Sequence, residues 1–109
     1  KWEEISYLER SSIMLCAAEL LSKKYRSLIV ASTMLGQNKS VFQAEIDAAC
    51  ETIDYLRYNI YFASQIYNEQ PKSEFGQFNR MEYRALEGFV FTVTPFNFTA
   101  IASNLNMAV

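Results

Sequence analysis

Gly88-Phe89-Val90-Phe91-Thr92-Val93-Thr94, followed by Pro95-Phe96-Asn97-Phe98, is the stretch on which the fold turns. Its first seven residues are β-branched and aromatic almost throughout and are bounded by Gly88 and Pro95. That is the composition of a strand buried on both faces, as parallel sheets bury their strands. Pro95 cannot donate to a ladder and ends the strand. Phe98 to Met107 then resumes a helical composition. The expected order is strand, tight turn and helix start, and with the helices upstream it predicts an α/β fold.

Upstream of that block, Ile5 to Lys24 lacks Gly and Pro and places Ile13, Ala17, Leu20 and Leu21 on one helical face. A second helix, Tyr25 to Leu35, groups Leu28, Ala31 and Leu35 and is expected to stop at Gly36 in a left-handed cap. Ser40 with Gln43 three residues later forms a capping box, opening one long helix that has no breaker until Pro71. Its apolar positions Phe42, Ile46, Ala49, Ile53, Leu56, Ile60, Ala63 and Tyr67 alternate spacings of four and three, a coiled-coil-like seam for helix packing. Pro71 to Gln77 reads as a loop, and Phe78 to Leu86 as an exposed or edge strand. The organisation is therefore mainly helical over 1–70, loop and edge strand over 71–86, and buried strand, turn and helix start over 87–109.

Composition removes several classes of function. Half of the 109 residues are hydrophobic and 20% are charged, a balance suited to a buried core rather than to disorder. Aromatic residues make up 15%, a heavy apolar load that predicts surface meant for further neighbours, and both ends have the look of cuts in a longer chain. The net charge is −2 with scattered Lys and Arg, so there is no basic stripe and no nucleic-acid partner is expected. No apolar run approaches the roughly 20 residues of a membrane-spanning helix, so no membrane partner is expected either. There is no histidine, which excludes Ser-His and Cys-His nucleophile pairs and the usual zinc spacings. Cys16 and Cys50 lie in Ala-rich helical contexts and read as small buried thiols.

The turn after a buried strand is where open α/β sheets bind ligands, because loops and helix starts there present backbone donors and a favourable dipole. Asn97 stands in that place. Its carboxamide offers uncharged donors that can stabilise a negative oxygen forming at a carbonyl without changing protonation state. Asn at a helix start also commonly caps the helix, and spacing alone leaves the two roles open.

Leu86-Glu87-Gly88-Phe89-Val90 leading into Thr94-Pro95-Phe96-Asn97-Phe98-Thr99-Ala100-Ile101 resembles the corresponding block of the 1-pyrroline-5-carboxylate dehydrogenase branch of the aldehyde dehydrogenase superfamily. Ala31-Ser32-Thr33-Met34-Leu35-Gly36-Gln37 and Gln43-Ala44-Glu45-Ile46-Asp47-Ala48-Ala49 resemble the same branch, in the same order and at compatible spacing. The resemblance covers nearly the whole chain and identifies it with the N-terminal half of such an enzyme. It implies a Rossmann-like NAD domain, a catalytic domain and a homo-oligomer, in the mitochondrial matrix or the bacterial cytoplasm. It also implies an NAD-dependent oxidation of a small aldehyde, L-glutamate γ-semialdehyde, through a cysteine nucleophile and a glutamate base.

Carried over residue by residue, the resemblance makes Asn97 the oxyanion donor, Thr94 a contact of NAD, Phe98 an aromatic wall beside the aldehyde, and Glu51 a helix carboxylate near the substrate pocket. For Glu51 a solvated helix carboxylate is the competing reading. No metal ligand is implied. The nucleophile and the base lie downstream in relatives, and neither Cys16 nor Cys50 matches the catalytic position, so these residues alone should be inactive. Val109 stands where the branch usually has proline, and Ala102-Ser103 replaces a more glycine-rich pair. The sequons Asn38-Lys39-Ser40 and Asn97-Phe98-Thr99 are rejected as glycan sites, the second because it would load the proposed donor. Other readings are a dehydrogenase of the same superfamily acting on another semialdehyde, and a non-catalytic helical module dimerising through the Phe42 to Tyr67 seam.

Overall fold

The computed structural model describes residues 2–106. A short 3-10 turn, Trp2–Glu4, leads into α1 (Tyr7–Ser22), followed by α2 (Arg26–Gln37) and α3 (Val41–Ala44). A π-helical segment, Glu45–Cys50, runs on without a break into α4 (Glu51–Asn68). A 3-10 helix, Ile101–Asn106, closes the described chain.

The helix starts follow local chemistry. At α1 the Ser6 hydroxyl accepts from Glu9 N while the Glu9 carboxylate accepts from Ser6 N, and at α3 Ser40 and Gln43 exchange the same pair of bonds. The second box is the expected one; the first went unread in the sequence. The stop expected at Gly36 falls instead two residues later. Gly36 and Gln37 remain helical, and Asn38 takes the left-handed conformation (φ 52°, ψ 39°). Asparagine tolerates that region because its short polar side chain can bond locally.

The core is small and built largely from small residues: Ala18, Ala44 and Ala49 with Val30, Ile53 and Leu56, flanked by Ala17, Leu21 and Ile29. Helix α1 runs along α4, and α2 packs on α3 and the π segment. The expected seam holds at Ala49, Ile53 and Leu56 and fails at its first two positions, since Phe42 is 77% exposed and Ile46 45% exposed. The π segment is the reason. Glu51 N donates to Ile46 O, five residues back, so each position before it is rotated out of the regular phase, and Ala44 and Ala48 turn inward instead. On α2 the buried residues are Val30 and Thr33, whereas Leu28, Ala31 and Leu35 face outward. On α1, Ala17 and Leu21 pack, but Ile13 and Leu20 stay exposed and the inward positions include Ser11 and Ala18. Cys16 is exposed and Cys50 half-buried, so neither is the enclosed thiol expected. Each lies off the narrow strip along which its helix meets a neighbour.

Between α4 and the final 3-10 helix the described residues form no strand ladder. Glu74 and Gln77 close a tight turn in which Gly76 takes φ 75°, a value suited to glycine. The Phe78 to Leu86 edge strand is absent. That segment is a strap, tied to the end of α4 where Tyr83 Oη donates to Ile66 O (2.9 Å) and the Tyr83 ring meets Tyr67 edge-on at 4.9 Å. Tyr67 in turn packs on Tyr7, whose hydroxyl donates to Ile60 O (2.6 Å). The strand buried on both faces over Gly88–Thr94 is not formed either: Phe89 is 90% exposed and Phe91 80% exposed. A strand is defined by its ladder, and no described residue supplies one. The helix resumed after Phe98 is the tighter Ile101–Asn106 turn, packed on α4. Met107 and Val109, to which sequence expectations also attach, lie outside the described residues.

Truncating Leu56 (3% exposed) to Ala should destabilise the helical layer by about 2–5 kcal/mol, read as a lower denaturation midpoint at unchanged slope. The Glu9 carboxyl is held below its ordinary value by the Ser6 hydroxyl and then by Ser6 N. A depressed folded pKa contributes stability that is present above the unfolded value and lost as pH falls through the folded one. Protection of the first-turn amides of α1, taken relative to the intrinsic exchange rate at each pH, should therefore fall as pH drops below 4.5, an effect that Glu9→Gln removes.

Candidate functional site

The Thr94–Phe98 turn is held from beneath by the link between α2 and α3. The left-handed Asn38 reverses the chain there and leaves Gln37 and Lys39 side by side under the turn. Gln37 Nε2 donates to Phe96 O (3.1 Å) and Lys39 Nζ donates to Asn97 O (3.0 Å), so two successive carbonyls of the turn are tied down. The same ammonium donates to Asp47 Oδ2 (2.6 Å) and lies 4.2 Å from the centroid of the Phe98 ring. A cation over an aromatic face is attracted by the ring quadrupole. Lys39 thus binds a helix carboxylate, a turn carbonyl and an aromatic face at once.

Asp47 lies within the π segment. The rotation that brings Ala44 and Ala48 into the core also sets the direction of Asp47, so the irregular helix turn and the ion pair are one arrangement. The side chains of Lys39 and Asp47 are 18% and 22% exposed, the most enclosed ion pair among the described residues. Arg26 and Glu45 form a second cross-helix pair, and Arg26 also reaches Cys50 Sγ (3.3 Å). The Glu45 carboxylate pushes the Arg26 pKa further up, keeping it charged.

Above the clamp, Asn97 and Thr94 are exposed and Phe98 is half-buried. Neither the Asn97 carboxamide nor the Thr94 hydroxyl has a hydrogen-bond partner among the described residues, so the capping role open to Asn97 is not the one it plays here. Its carbonyl is fixed and its side-chain donors are free. Phe98 is the sequence-predicted residue that joins Asn97 on the clamp. Glu51 sits elsewhere, half-buried at the first turn of α4, lining an open groove of about 310 Å³ with Asp54, Tyr55, Tyr58, Asn59 and Phe62. Asn97, Thr94 and Phe98 do not line that groove.

Sequence reasoning missed Lys39 and Asp47 as site residues. A lysine in a turn reads as solvated, and an aspartate on the charged side of a helix reads the same way; only their tertiary apposition joins them to Asn97. Among the described residues no group of three Cys, Asp or Glu side chains could hold a metal ion, and no helix is long and apolar enough to cross a membrane.

The model of the aldehyde dehydrogenase family matches residues 1–109. The chain is 56% identical over 108 residues to the probable δ-1-pyrroline-5-carboxylate dehydrogenase of Schizosaccharomyces pombe, covering 98% of this chain and 20% of that protein. It is 50% identical over 105 residues to the mitochondrial δ-1-pyrroline-5-carboxylate dehydrogenase of Bos taurus, covering 96% of this chain and 19% of the relative. The crystal structure of the corresponding Mycobacterium tuberculosis enzyme superposes with a TM-score of 0.92 at 54% identity, over 97% of this chain and 20% of that one. A structure of the same enzyme bound with NAD superposes equally well. The chain spans about a fifth of the length of the relatives it matches. The strand-like sequence that finds no ladder here therefore belongs to an α/β fold most of which these 109 residues do not contain, and the chain is a member of the aldehyde dehydrogenase family.

Proposed function

We propose that these residues form the oxyanion-donor region of an NAD-dependent dehydrogenase that oxidises L-glutamate γ-semialdehyde, the open form of 1-pyrroline-5-carboxylate, to L-glutamate. The supporting observation is the Asn97 turn. It presents unpartnered carboxamide donors on a backbone tied down at Phe96 and Asn97, in a chain 54% identical to an enzyme named for that substrate.

Turning an aldehyde into an acid passes through a state in which the carbonyl oxygen carries negative charge. A donor aimed at that oxygen is worth most when it needs no reorganisation at the moment of reaction. Asn97 meets that demand: it is uncharged, short, and rooted in a turn that two side chains hold in place. The Phe98 ring, fixed by the Lys39 ammonium, forms an apolar wall next to it. Thr94 stands at the near end of the same turn with a free hydroxyl, which suits a polar contact with the cofactor. Uncharged donors of this kind fit a dinucleotide whose reacting ring is itself positively charged before reduction. NAD, when bound, accepts the hydride removed from the substrate. Glu51 lines a separate groove on α4 that the Asn97 turn does not reach, so its place near the substrate pocket is carried by the resemblance alone.

The nucleophilic cysteine and the general base belong to the remainder of the enzyme, which acts as a homo-oligomer. Eukaryotic relatives such as that of Dictyostelium discoideum are named mitochondrial, which supports a matrix location in a eukaryotic host; a bacterial host implies the cytoplasm. The non-catalytic helical module loses its support, because the middle of its dimer seam, Ala49, Ile53 and Leu56, is already buried within the chain.

In the full-length enzyme, Asn97→Ala should lower kcat by about 10²- to 10³-fold, the scale for loss of one oxyanion donor. An unchanged kcat removes Asn97 from the mechanism. Comparing kcat/KM for glutamate γ-semialdehyde with that for other semialdehydes decides between this substrate and the wider superfamily. A preference for a semialdehyde lacking the α-amino and carboxylate groups overturns the assignment.

A further inference from the structure

We propose that Lys39, braced by Asp47, is a positioning residue for the oxidation: it sets the orientation of the Asn97 carboxamide and the Phe98 ring without touching substrate or cofactor. This inference rests on the proposed function above and deepens it. Its basis is the convergence of three contacts on one ammonium, Asp47 Oδ2 at 2.6 Å, Asn97 O at 3.0 Å and the Phe98 ring centroid at 4.2 Å.

Each contact constrains a different feature of the turn. The bond to Asn97 O fixes the peptide plane that follows the Asn97 Cα, and with it the direction in which the carboxamide leaves the backbone. The ring contact fixes the neighbouring side chain, so two successive residues are oriented by a single group. The Asp47 carboxylate supplies the third point, from a different element. Without it, an ammonium on a four-carbon stem samples many rotamers and ties nothing down. The pair is largely enclosed, so solvent screens it less than the exposed pairs elsewhere on the chain.

Because the Lys39 charge is cancelled by Asp47, the base of the turn is close to electrically neutral. Lys39 therefore contributes geometry, not a second positive charge for the oxyanion. Catalysis by a preorganised donor is sensitive to such geometry, since a misplacement on the order of 1 Å can cost about 10²-fold in rate.

The experiment uses the full-length enzyme and compares Lys39→Met, Lys39→Arg, Asp47→Asn, Asn97→Ala and the Lys39→Met/Asn97→Ala double variant. Lys39→Met is expected to lower kcat by about 10- to 100-fold. The KM for the aldehyde should move little, because the interaction lost is one expressed in the transition state. Lys39→Arg, which keeps the charge and the ring contact, should retain most of the rate. Asp47→Asn should lower kcat in the same sense by less, and it carries the test should Lys39→Met fail to fold. A residue acting through Asn97 has nothing further to lose once Asn97 is gone. The double variant should therefore match Asn97→Ala alone to within about twofold. Amide exchange at Asn97, Phe98 and Thr99 should quicken in Lys39→Met.

Losses that multiply in the double variant indicate a general structural role and overturn the proposal. So does a Lys39→Met enzyme with kcat within about twofold of the unsubstituted one. If the unsubstituted enzyme does not oxidise glutamate γ-semialdehyde, the functional reading itself falls and the proposal falls with it.

Discussion

The close approach of helices through alanine is the constraint on which the rest of the structure depends. Ala18, Ala44, Ala48 and Ala49 are essentially inaccessible to solvent, and together they let α1 and α2 press against the continuous helix of α3, the π segment and α4 with little side-chain bulk between them. Larger side chains, Val30, Ile53 and Leu56, fill the remaining space, each contributing about 1.5–3 kcal/mol by burial. A layer this thin tolerates few alternatives. Any rotation of the helix about its axis would bring Phe42 or Ile46 into a space sized for a methyl group. The π segment reconciles the sequence with that space: the extra residue in the turn places two alanines inward and leaves the bulkier side chains outside. The same local departure sets Asp47, so the packing of the core and the placement of the clamp are decided together.

Much of the helical layer was legible in the amino-acid sequence, because helix starts and breakers are local chemistry. The Ser40 and Gln43 capping box and the long run from Ser40 toward Pro71 follow from rules that act over three or four residues. Which face of a helix is buried is not local. The seam expected from regular spacing was correct at Ala49, Ile53 and Leu56, and wrong at Phe42 and Ile46, where the π segment shifts the phase of the helix. Leu28 and Leu35 were misread in another way. Their hydrophobicity is real, but the neighbours within the described residues lie on the Val30 and Thr33 side of α2. Gly36 was read by type, since glycine is the usual left-handed cap, whereas the chain uses Asn38 and so brings Lys39 under the turn.

The site was legible in part for a related reason. Asn97 could be nominated from its residue type and its place after a strand-like run, because an oxyanion donor needs a short neutral amide and a rigid root. Thr94, Phe98 and Glu51 entered only through resemblance, and the structure separates them: Phe98 shares the clamp with Asn97, while Glu51 lines a groove on α4 that the turn does not reach. Lys39 carried no signal of its own. Its partners are 8 residues away at Asp47 and 58 residues away at Asn97, a convergence that no periodicity encodes.

The Gly88 to Thr94 run shows how a sequence signal can be right about a fold and wrong about a chain. Its composition is that of a segment meant for burial on both sides, yet it forms no strand among the described residues. A ladder is a property of two or more strands: the backbone donors and acceptors of a single run stay with solvent until neighbours arrive. The helical layer has no such dependence, because its hydrogen bonds are internal to each helix and its core closes among α1, α2, α3 and α4. The 96–98 turn lies where the two regimes meet. It is tied to the self-sufficient layer through Gln37 and Lys39, while the run leading into it awaits a sheet. A donor meant to keep its position as cofactor and substrate come and go is best rooted on the side that does not have to be assembled, and the Lys39 contacts place it there.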